Sequence, residues 1–238
     1  KTGVANTINL TDNAAKSLVI TGDKALTVSF TGTFGSATAA DATNGLGVST
    51  IDASAATGAV AINTTNVKVA FNGLTVKTGS ANDAITLAQK ATVDAGAGDD
   101  TITVSASGGT LTGGAGKDAF IVSAAVATGT TEATSVLTTI TSVDAGDTIK
   151  LAVVAATDAF NKTAINISAA TNLDNAIGIA INDTGASVNW FQYAGNTYVV
   201  SDVNGNSFGA GDQVVKINGL VDLSNSTYAA GTDTLTIA

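Results

Sequence analysis

The sequence contains no cysteine, histidine, methionine, proline or arginine. The absence of cysteine excludes disulfides, thiolate nucleophiles and zinc thiolate sites. Because histidine is also absent, the serine triad and its common variants are excluded. Only a Ser-Lys nucleophile stays formally open, and no lysine lies in a motif that suggests one. Proline removes a donor from a β-ladder, so its absence favours uninterrupted sheets. Together these absences predict a chain that is not an enzyme.

Positive charge is scarce. The 238 residues include 10 lysines and 19 acidic residues, which gives a formal net charge of -9 at pH 7. Nothing in such a chain would neutralise a phosphate backbone, so nucleic acid is excluded as a partner. An anionic membrane surface is disfavoured for the same reason.

Long hydrophobic runs are absent as well. The longest run, from Leu151 to Ala156, has about six residues, whereas a membrane-spanning helix needs about 20. We therefore predict no transmembrane segment. No N-terminal signal peptide is visible, and the chain is already repeat-like at Lys1. We expect this chain to be a fragment of a longer protein.

Small aliphatic residues, glycine and aspartate dominate what is present. Hydrophobic residues make up 45% of the chain and aromatic residues only 5%, so the core must consist of Val, Ile, Leu, Ala and Thr. Such residues suit thin stacked sheets, and the 26 glycines supply turns. Glu132 is the only glutamate. A composition in which nearly all acidic residues are aspartate is typical of turns, where the short carboxylate binds the backbone or a metal.

A glycine- and aspartate-rich segment occurs three times, at residues 79–85, 96–102 and 114–120. The last two copies fit the nonapeptide G-G-x-G-x-D-x-U-x, in which U is a large apolar residue. The first copy is degraded. The three segments depart from the nonapeptide pattern at Thr78, Ala81 and Ala95.

The spacing of the sixth-position aspartates fits a β-roll, in which two nonapeptides, about 18 residues, complete one coil. Asp83 and Asp100 are 17 residues apart, and Asp100 and Asp118 are 18 residues apart. Their side chains are therefore expected to stack on one side of the roll. Two apolar ladders follow the same spacing. These ladders are Val76, Val93 and Leu111, and Ile85, Ile102 and Phe120.

The stacked turns suit a hard divalent cation, which needs six to eight oxygen ligands at about 2.3–2.6 Å. Glycine leaves backbone carbonyls accessible, and each coil adds one carboxylate. We predict about two calcium ions, one between Asp83 and Asp100 and a tighter one between Asp100 and Asp118. The candidate ligands come from all three copies: Gly79, Asn82, Asp83, Gly96, Gly98, Asp99, Asp100, Gly113, Gly114, Gly116 and Asp118.

Each glycine–aspartate turn has a simpler interpretation as a plain β-turn, and for Asp83 alone the two interpretations are balanced. The opposite turns, near residues 88–91 and 105–109, lack the aspartate motif, so one side of the roll is expected to bind ions. Asp99 and Asp100 do not suit a glycosidase pair, because adjacent side chains in a strand or turn point apart. Other aspartates are expected to be turn residues: Asp23, Asp52, Asp144, Asp147 and Asp202.

The chain is predicted to be all-β, with two domains. Residues 1–123 are expected to form a parallel β-solenoid that ends in the calcium-binding β-roll, and residues 124–238 a C-terminal β-rich capping domain with one short helix. Loops are expected at 32–47 and 124–139. Strands upstream of the roll are expected at 7–11, 18–21, 26–30, 48–52, 59–63 and 67–71.

The C-terminal domain is marked by aromatic residues, since six of the eleven in the chain lie in its last 51 residues. We expect them to form a hydrophobic core rather than a sugar-stacking patch. Strands at 188–193 and 197–202 would form a hairpin around residues 194–196, and further strands are expected at 213–218 and 234–237. Apolar residues at helical spacing from Leu173 to Ile181 predict a helix, with Thr171 as its cap.

Several of these segments resemble RTX-type bacterial surface-layer (S-layer) proteins. Residues 190–202 (WFQYAGNTYVVSD) and 214–221 (VVKINGLV) resemble the closing segment of such proteins. Residues 15–22 (AKSLVITG) and 51–58 (IDASAATG) resemble their solenoid repeats. With the nonapeptides, which are shared by many RTX proteins, the resemblance covers nearly the whole chain.

The resemblance implies a structural role, in which copies self-associate into a calcium-dependent two-dimensional lattice on the surface of a Gram-negative bacterium. It also implies an extracellular location and an uncleaved C-terminal signal, including residues 233–238, that is read by a type I secretion exporter. Anchoring to lipopolysaccharide would belong to an N-terminal region that is missing from this sequence.

Two other interpretations predict the same roll. One is the folding and secretion module of an RTX enzyme such as a protease or lipase, and the other is the terminus of an RTX adhesin. An upstream zinc motif or nucleophile elbow in the full-length gene would favour the enzyme module, and long Ig-like repeats would favour the adhesin. The irregular solenoid before the roll and the Thr/Ala-rich composition favour the lattice.

Overall fold

The structure is a computed structural model. It describes residues 6–12, 14–31, 34–35, 48–68, 73–122, 137–151, 159–183, 186–202, 208 and 212–238. The chain divides into two compact units, one of residues 1–105 and 109–118 and the other of residues 106–108 and 119–238. Both consist mainly of β-strands in sheets that contain parallel pairs. The predicted all-β fold with a parallel β-roll is confirmed.

In the first unit, successive strands alternate between two parallel sheets. The described strands are β1 (Asn6–Leu10), β2 (Ser17–Gly22), β3 (Leu26–Phe30), β4 (Thr50–Ala56), β5 (Val60–Asn63), β6 (Leu74–Lys77), β7 (Ala84–Thr86), β8 (Ala91–Asp94), β9 (Thr101–Val104) and β10 (Gly109–Thr112). One sheet has the order β1-β3-β5-β7-β9 and the other β2-β4-β6-β8-β10. Each pair of consecutive strands therefore makes one coil of a solenoid.

The coils form because side chains alternate across each strand. In β8, Ala91 and Val93 are buried, whereas Thr92 and Asp94 are exposed. Both predicted ladders have their expected register in this unit. Val76 pairs with Val93 and Val93 with Leu111. Ile85 pairs with Ile102.

The second unit contains parallel and antiparallel pairs and one described helix. Its elements are β11 (Ala119–Val122), β12 (Thr138–Ile140), β13 (Thr148–Lys150), α1 (Leu173–Ile181), β14 (Val188–Tyr193), β15 (Asn196–Ser201), β16 (Gln213–Asn218), β17 (Thr227–Ala229) and β18 (Thr234–Thr236). Within this unit the strand orders are β11-β13-β18-β17 and β14-β15-β16-β12. Phe120 in β11 is fully buried and pairs with Ile149.

The predicted hairpin is confirmed: β14 and β15 pair antiparallel. The turn consists of Ala194 and Gly195, both with positive φ, as a tight two-residue hairpin turn requires. The aromatic side chains around it lie in the core, because Trp190, Phe191 and Tyr198 are buried. The rings of Phe191 and Tyr198 stack with centroids 5.2 Å apart. These three side chains cannot form a surface patch for sugar.

Two details of the sequence interpretation were wrong. The cap of α1 is Asn172 rather than Thr171, because Asn172 directly precedes the helix and its side chain accepts a 2.8 Å hydrogen bond from the backbone of Asn175. Thr138 and Thr139 belong to β12 rather than to a loop. Residues 124–136 of the loop predicted at 124–139 lie outside the described residues. The same holds for most of the loop predicted at 32–47 and for positions 69–71 of one expected strand.

The described ranges contain no helix with the length and apolar character needed to cross a membrane.

Candidate metal centre

The three glycine-rich turns of the first unit lie directly on one another, at residues 78–83, 95–100 and 113–118. They are joined by backbone hydrogen bonds. The amide of Ala97 donates to the carbonyl of Gly79 at 2.9 Å, and the amide of Ala115 donates to the carbonyl of Gly96 at 3.0 Å. In the opposite direction, the amide of Gly98 donates to the carbonyl of Ala115 at 2.8 Å. The sequence repeat is therefore also a repeat in space.

Glycine is required in these turns because of their backbone conformation and because there is no room for a side chain. Gly96 and Gly114 have φ values of +99° and +106°, a region that side chains disfavour. A Cβ at Gly114 would lie 1.9 Å from the Gly96 carbonyl oxygen. A Cβ would also lie too close to neighbouring backbone at three other predicted ligands, at 1.9 Å for Gly79, 2.6 Å for Gly98 and 2.2 Å for Gly116. A side chain at any of these positions would push the turns apart.

The sixth-position aspartates form a buried row, as predicted from their spacing. Asp83, Asp100 and Asp118 are 3%, 1% and 1% exposed. The backbone amide of Asp83 donates to Oδ1 of Asp100 at 2.7 Å, and that of Asp100 donates to Oδ1 of Asp118 at 2.9 Å. A Cβ at Gly113 would lie 2.1 Å from Oδ2 of Asp118, so this glycine leaves room for the carboxylate. Each carboxylate thus binds the backbone of the coil before it.

The fifth-position side chains form a separate row on the exposed side of the turns. The Asn82 side-chain oxygen accepts a 3.0 Å hydrogen bond from the Asp99 backbone, and Oδ1 of Asp99 accepts a 2.8 Å bond from the Lys117 backbone. These bonds connect each coil to the next one, opposite in direction to those of the buried row. The structure therefore does not bring Asn82 and Asp99 together with the buried carboxylates. It also directs Asp99 and Asp100 to different partners, which argues against a glycosidase pair.

Asp100 lies between the other two carboxylates of the row. Its Oδ2 is buried and has no hydrogen-bond partner among the described residues. Burial raises the pKa of Asp100 to about 7. The hydrogen bond from the Asp83 backbone lowers this pKa, while the charges of Asp83, Asp118 and Asp99 raise it further. An ionised Asp100 therefore has one hydrogen-bonded oxygen, one buried oxygen without a hydrogen-bond partner among the described residues, and like charges around it.

A hard cation fits this arrangement. The described residues contain no group of three or more His, Cys, Asp or Glu side chains that could hold a metal. An ion between two turns would therefore take two carboxylate oxygens from the row and the remaining oxygens from backbone carbonyls. Carboxylates and carbonyls are the ligands that calcium prefers. The orphaned oxygen of Asp100 and the close-packed glycines are consistent with such a site.

One neighbour of the row was not anticipated from the sequence. The backbone amide of Val60 donates a 2.6 Å hydrogen bond to Oδ1 of Asp83, so Val60 occupies the position of an aspartate in the preceding coil. Val60 lies 23 residues before Asp83 rather than 17 or 18. The longer coil hides this equivalence, and only the strand register reveals it.

Comparison of the sequence with protein-family models finds no match, and comparison with curated proteins also finds none.

Proposed function

We propose that this chain is an extracellular, calcium-binding structural protein of the RTX type. The observation that carries this proposal is the buried Oδ2 of Asp100, which lies in a row of like charges and lacks a hydrogen-bond partner among the described residues. Bound calcium would supply positive charge to the row, and oxygens of the row would replace water in the coordination shell of the ion. Asp83, Asp100 and Asp118 would provide carboxylate oxygens, and the glycine-rich turns would provide carbonyls.

Cation binding would be coupled to folding. The row exists only when the coils are stacked, so an ion that binds the stacked form stabilises it by mass action. At a calcium concentration 100 times the dissociation constant, one site contributes about 2.7 kcal/mol. The aspartate-bearing coils would stay unordered in a cytoplasm poor in calcium and during passage through a type I exporter, and would become ordered outside the cell.

The role that we propose for the folded chain is self-association in a surface lattice. Two features support it besides the resemblance to S-layer proteins. The first described strand of each sheet, β1 and β2, contains no charged residue, and uncharged sheet edges are sites of strand pairing between chains. Val19 in β2 is a large apolar side chain that is 69% exposed. Anchoring to lipopolysaccharide would require a further N-terminal region.

Calcium titration followed by circular dichroism and light scattering tests these steps separately. We expect β-structure to increase and large assemblies to appear with millimolar calcium, and both changes to reverse with chelator. If only the β-structure responds, the chain is better described as the folding and secretion module of an RTX enzyme or adhesin. If neither signal responds to calcium, the proposed metal centre is wrong and the turns are ordinary β-turns.

A further inference from the structure

The inward position that carries aspartate in three coils carries an apolar residue in the two coils before them. Leu26 is in register with Val60. The pairing of Ala61 with Ala84 places Val60 in register with Asp83. In successive coils this position is therefore occupied first by leucine and valine and then by Asp83, Asp100 and Asp118. The change occurs between β5 and β7.

In the apolar part of this row, the coil of Leu26 is joined to the coil of Val60 without any carboxylate. Val60 is 2% exposed. The amide of Leu26 donates a 2.9 Å bond to the Ala59 carbonyl, and the amide of Thr57 donates a 2.8 Å bond to the Gly22 carbonyl. Gly22 has a φ of +133°, but a Cβ there would have no atom within 4 Å, unlike the tightly packed glycines downstream. Nothing in these two turns calls for a counter-ion.

The carboxylate part of the row, by contrast, requires a counter-ion. Asp83 and Asp100 are buried next to each other. Neither Asp83 nor Asp100 belongs to the ion pairs Lys24–Asp23 and Lys77–Asp94 of the described residues. Burial of uncompensated charge opposes folding. Coil stacking from Gly79 onward therefore depends on a cation, whereas the coils before it stack on one another through apolar burial and backbone hydrogen bonds and enclose no carboxylate of the row.

We propose that the calcium requirement of this chain has a boundary at Asp83. Strands β1 to β6 are folded without calcium, and residues 79–118, with β7 to β10, become ordered when calcium binds. This inference rests on the proposed calcium function. Coils of a solenoid contact mainly their neighbours, so one part can be folded while the next is not. The calcium-independent coils then act as a template whose last coil, with Val60 and β6, sets the register of the first calcium-binding coil.

Hydrogen–deuterium exchange of the full chain, with millimolar calcium or with EGTA, tests the boundary. With calcium we expect slow exchange in both parts. With EGTA, amides of β3 and β4 should stay protected, while amides of β8, β9 and β10 should exchange at least about tenfold faster, because their coils open. Loss of protection in both parts would overturn the boundary and leave calcium-dependent folding intact. Equal exchange with and without calcium would overturn both proposals.

A pair of variants moves the boundary. Val60→Asp extends the carboxylate row by one coil, so protection of β5 should become calcium-dependent. Val60→Thr has nearly the same shape without the charge, and protection of β5 should stay calcium-independent. If both variants behave alike in EGTA, the charge at this position does not set the boundary and the proposal is overturned. If Val60→Asp does not fold even with calcium, the exchange pattern of the wild type alone decides the outcome.

Discussion

The backbone amide of Asp83 donates a 2.7 Å hydrogen bond to Oδ1 of Asp100, one coil further along the chain. The same relationship joins Asp100 to Asp118 at 2.9 Å. Each carboxylate therefore holds the preceding coil and at the same time lies beside another carboxylate. Coil stacking and the charge of the row are consequently linked. A change in one of these residues should affect stability and cation affinity together.

Replacement of Asp100 by asparagine separates these two effects. Asn keeps an oxygen that can accept the Asp83 bond but removes a buried charge. We expect Asp100→Asn to weaken calcium affinity by about tenfold or more, about 1.4 kcal/mol, and to leave residues 79–118 more ordered in chelator than they are in the wild type, because like-charge repulsion is reduced. Calcium titration and hydrogen–deuterium exchange in chelator measure the two quantities. The matched control is Asp99→Asn, which removes an exposed charge from the adjacent residue and should change both values much less. Equal effects of the two substitutions would contradict the assignment of Asp100.

The stability of the metal-free chain should depend on pH through the same residue. The folded-state pKa of Asp100 is raised to about 7, whereas an unfolded aspartate has a pKa of about 3.9. Between these values the folded state holds a proton that the unfolded state has lost, so the free energy of unfolding falls as pH rises from about 4 to 7. Circular dichroism in chelator at pH 5 and pH 8 measures the accompanying loss of β-structure from residues 79–118. The fall should be smaller in Asp100→Asn. An unchanged pH dependence in that variant would contradict the assignment of the raised pKa to Asp100.

The close packing of the turns can be tested at two glycines that share a positive φ. Gly114 has a φ of +106° and its Cβ would lie 1.9 Å from a carbonyl oxygen, whereas the Cβ of Gly22, at +133°, would have no atom within 4 Å. Both alanine variants incur backbone strain of about 1–3 kcal/mol. Gly114→Ala also forces the stacked turns apart, so we expect it to lower the free energy of unfolding by about 2 kcal/mol more than Gly22→Ala. Denaturant unfolding in calcium measures the difference. Equal losses would mean that the turns are not closely packed.

The regular repeat could be predicted because its physical cause is local and periodic. The spacing of Asp83, Asp100 and Asp118 was sufficient to place them in one row, and the hairpin around Ala194 and Gly195 follows from its turn chemistry. The equivalence of Val60 to Asp83 could not be predicted, because coils of unequal length have no sequence period. The division between the buried carboxylates and the exposed side chain of Asp99 depends on the direction of side chains in the turn, which the motif alone does not specify.

Self-association through the uncharged sheet edge can be tested at Val19. A lysine on an exposed edge strand disfavours pairing with another chain, so Val19→Lys should reduce the assemblies seen in calcium. Thr92→Lys places the same charge on the exposed side of β8, a strand with a neighbour on each side, and should leave assembly unchanged. Light scattering at several protein concentrations measures both. Equal assembly by the two variants would exclude this edge as the contact.

The number of calcium ions bound per chain tests the metal centre most directly. Equilibrium dialysis of the full chain should find about two ions per molecule, because three stacked carboxylates enclose two gaps. Asp100 borders both gaps, so Asp100→Asn should weaken both sites, whereas Asp118→Asn should weaken one and leave the other. Absence of bound calcium at millimolar concentration, or the same loss in both variants, would contradict a calcium site built on this row.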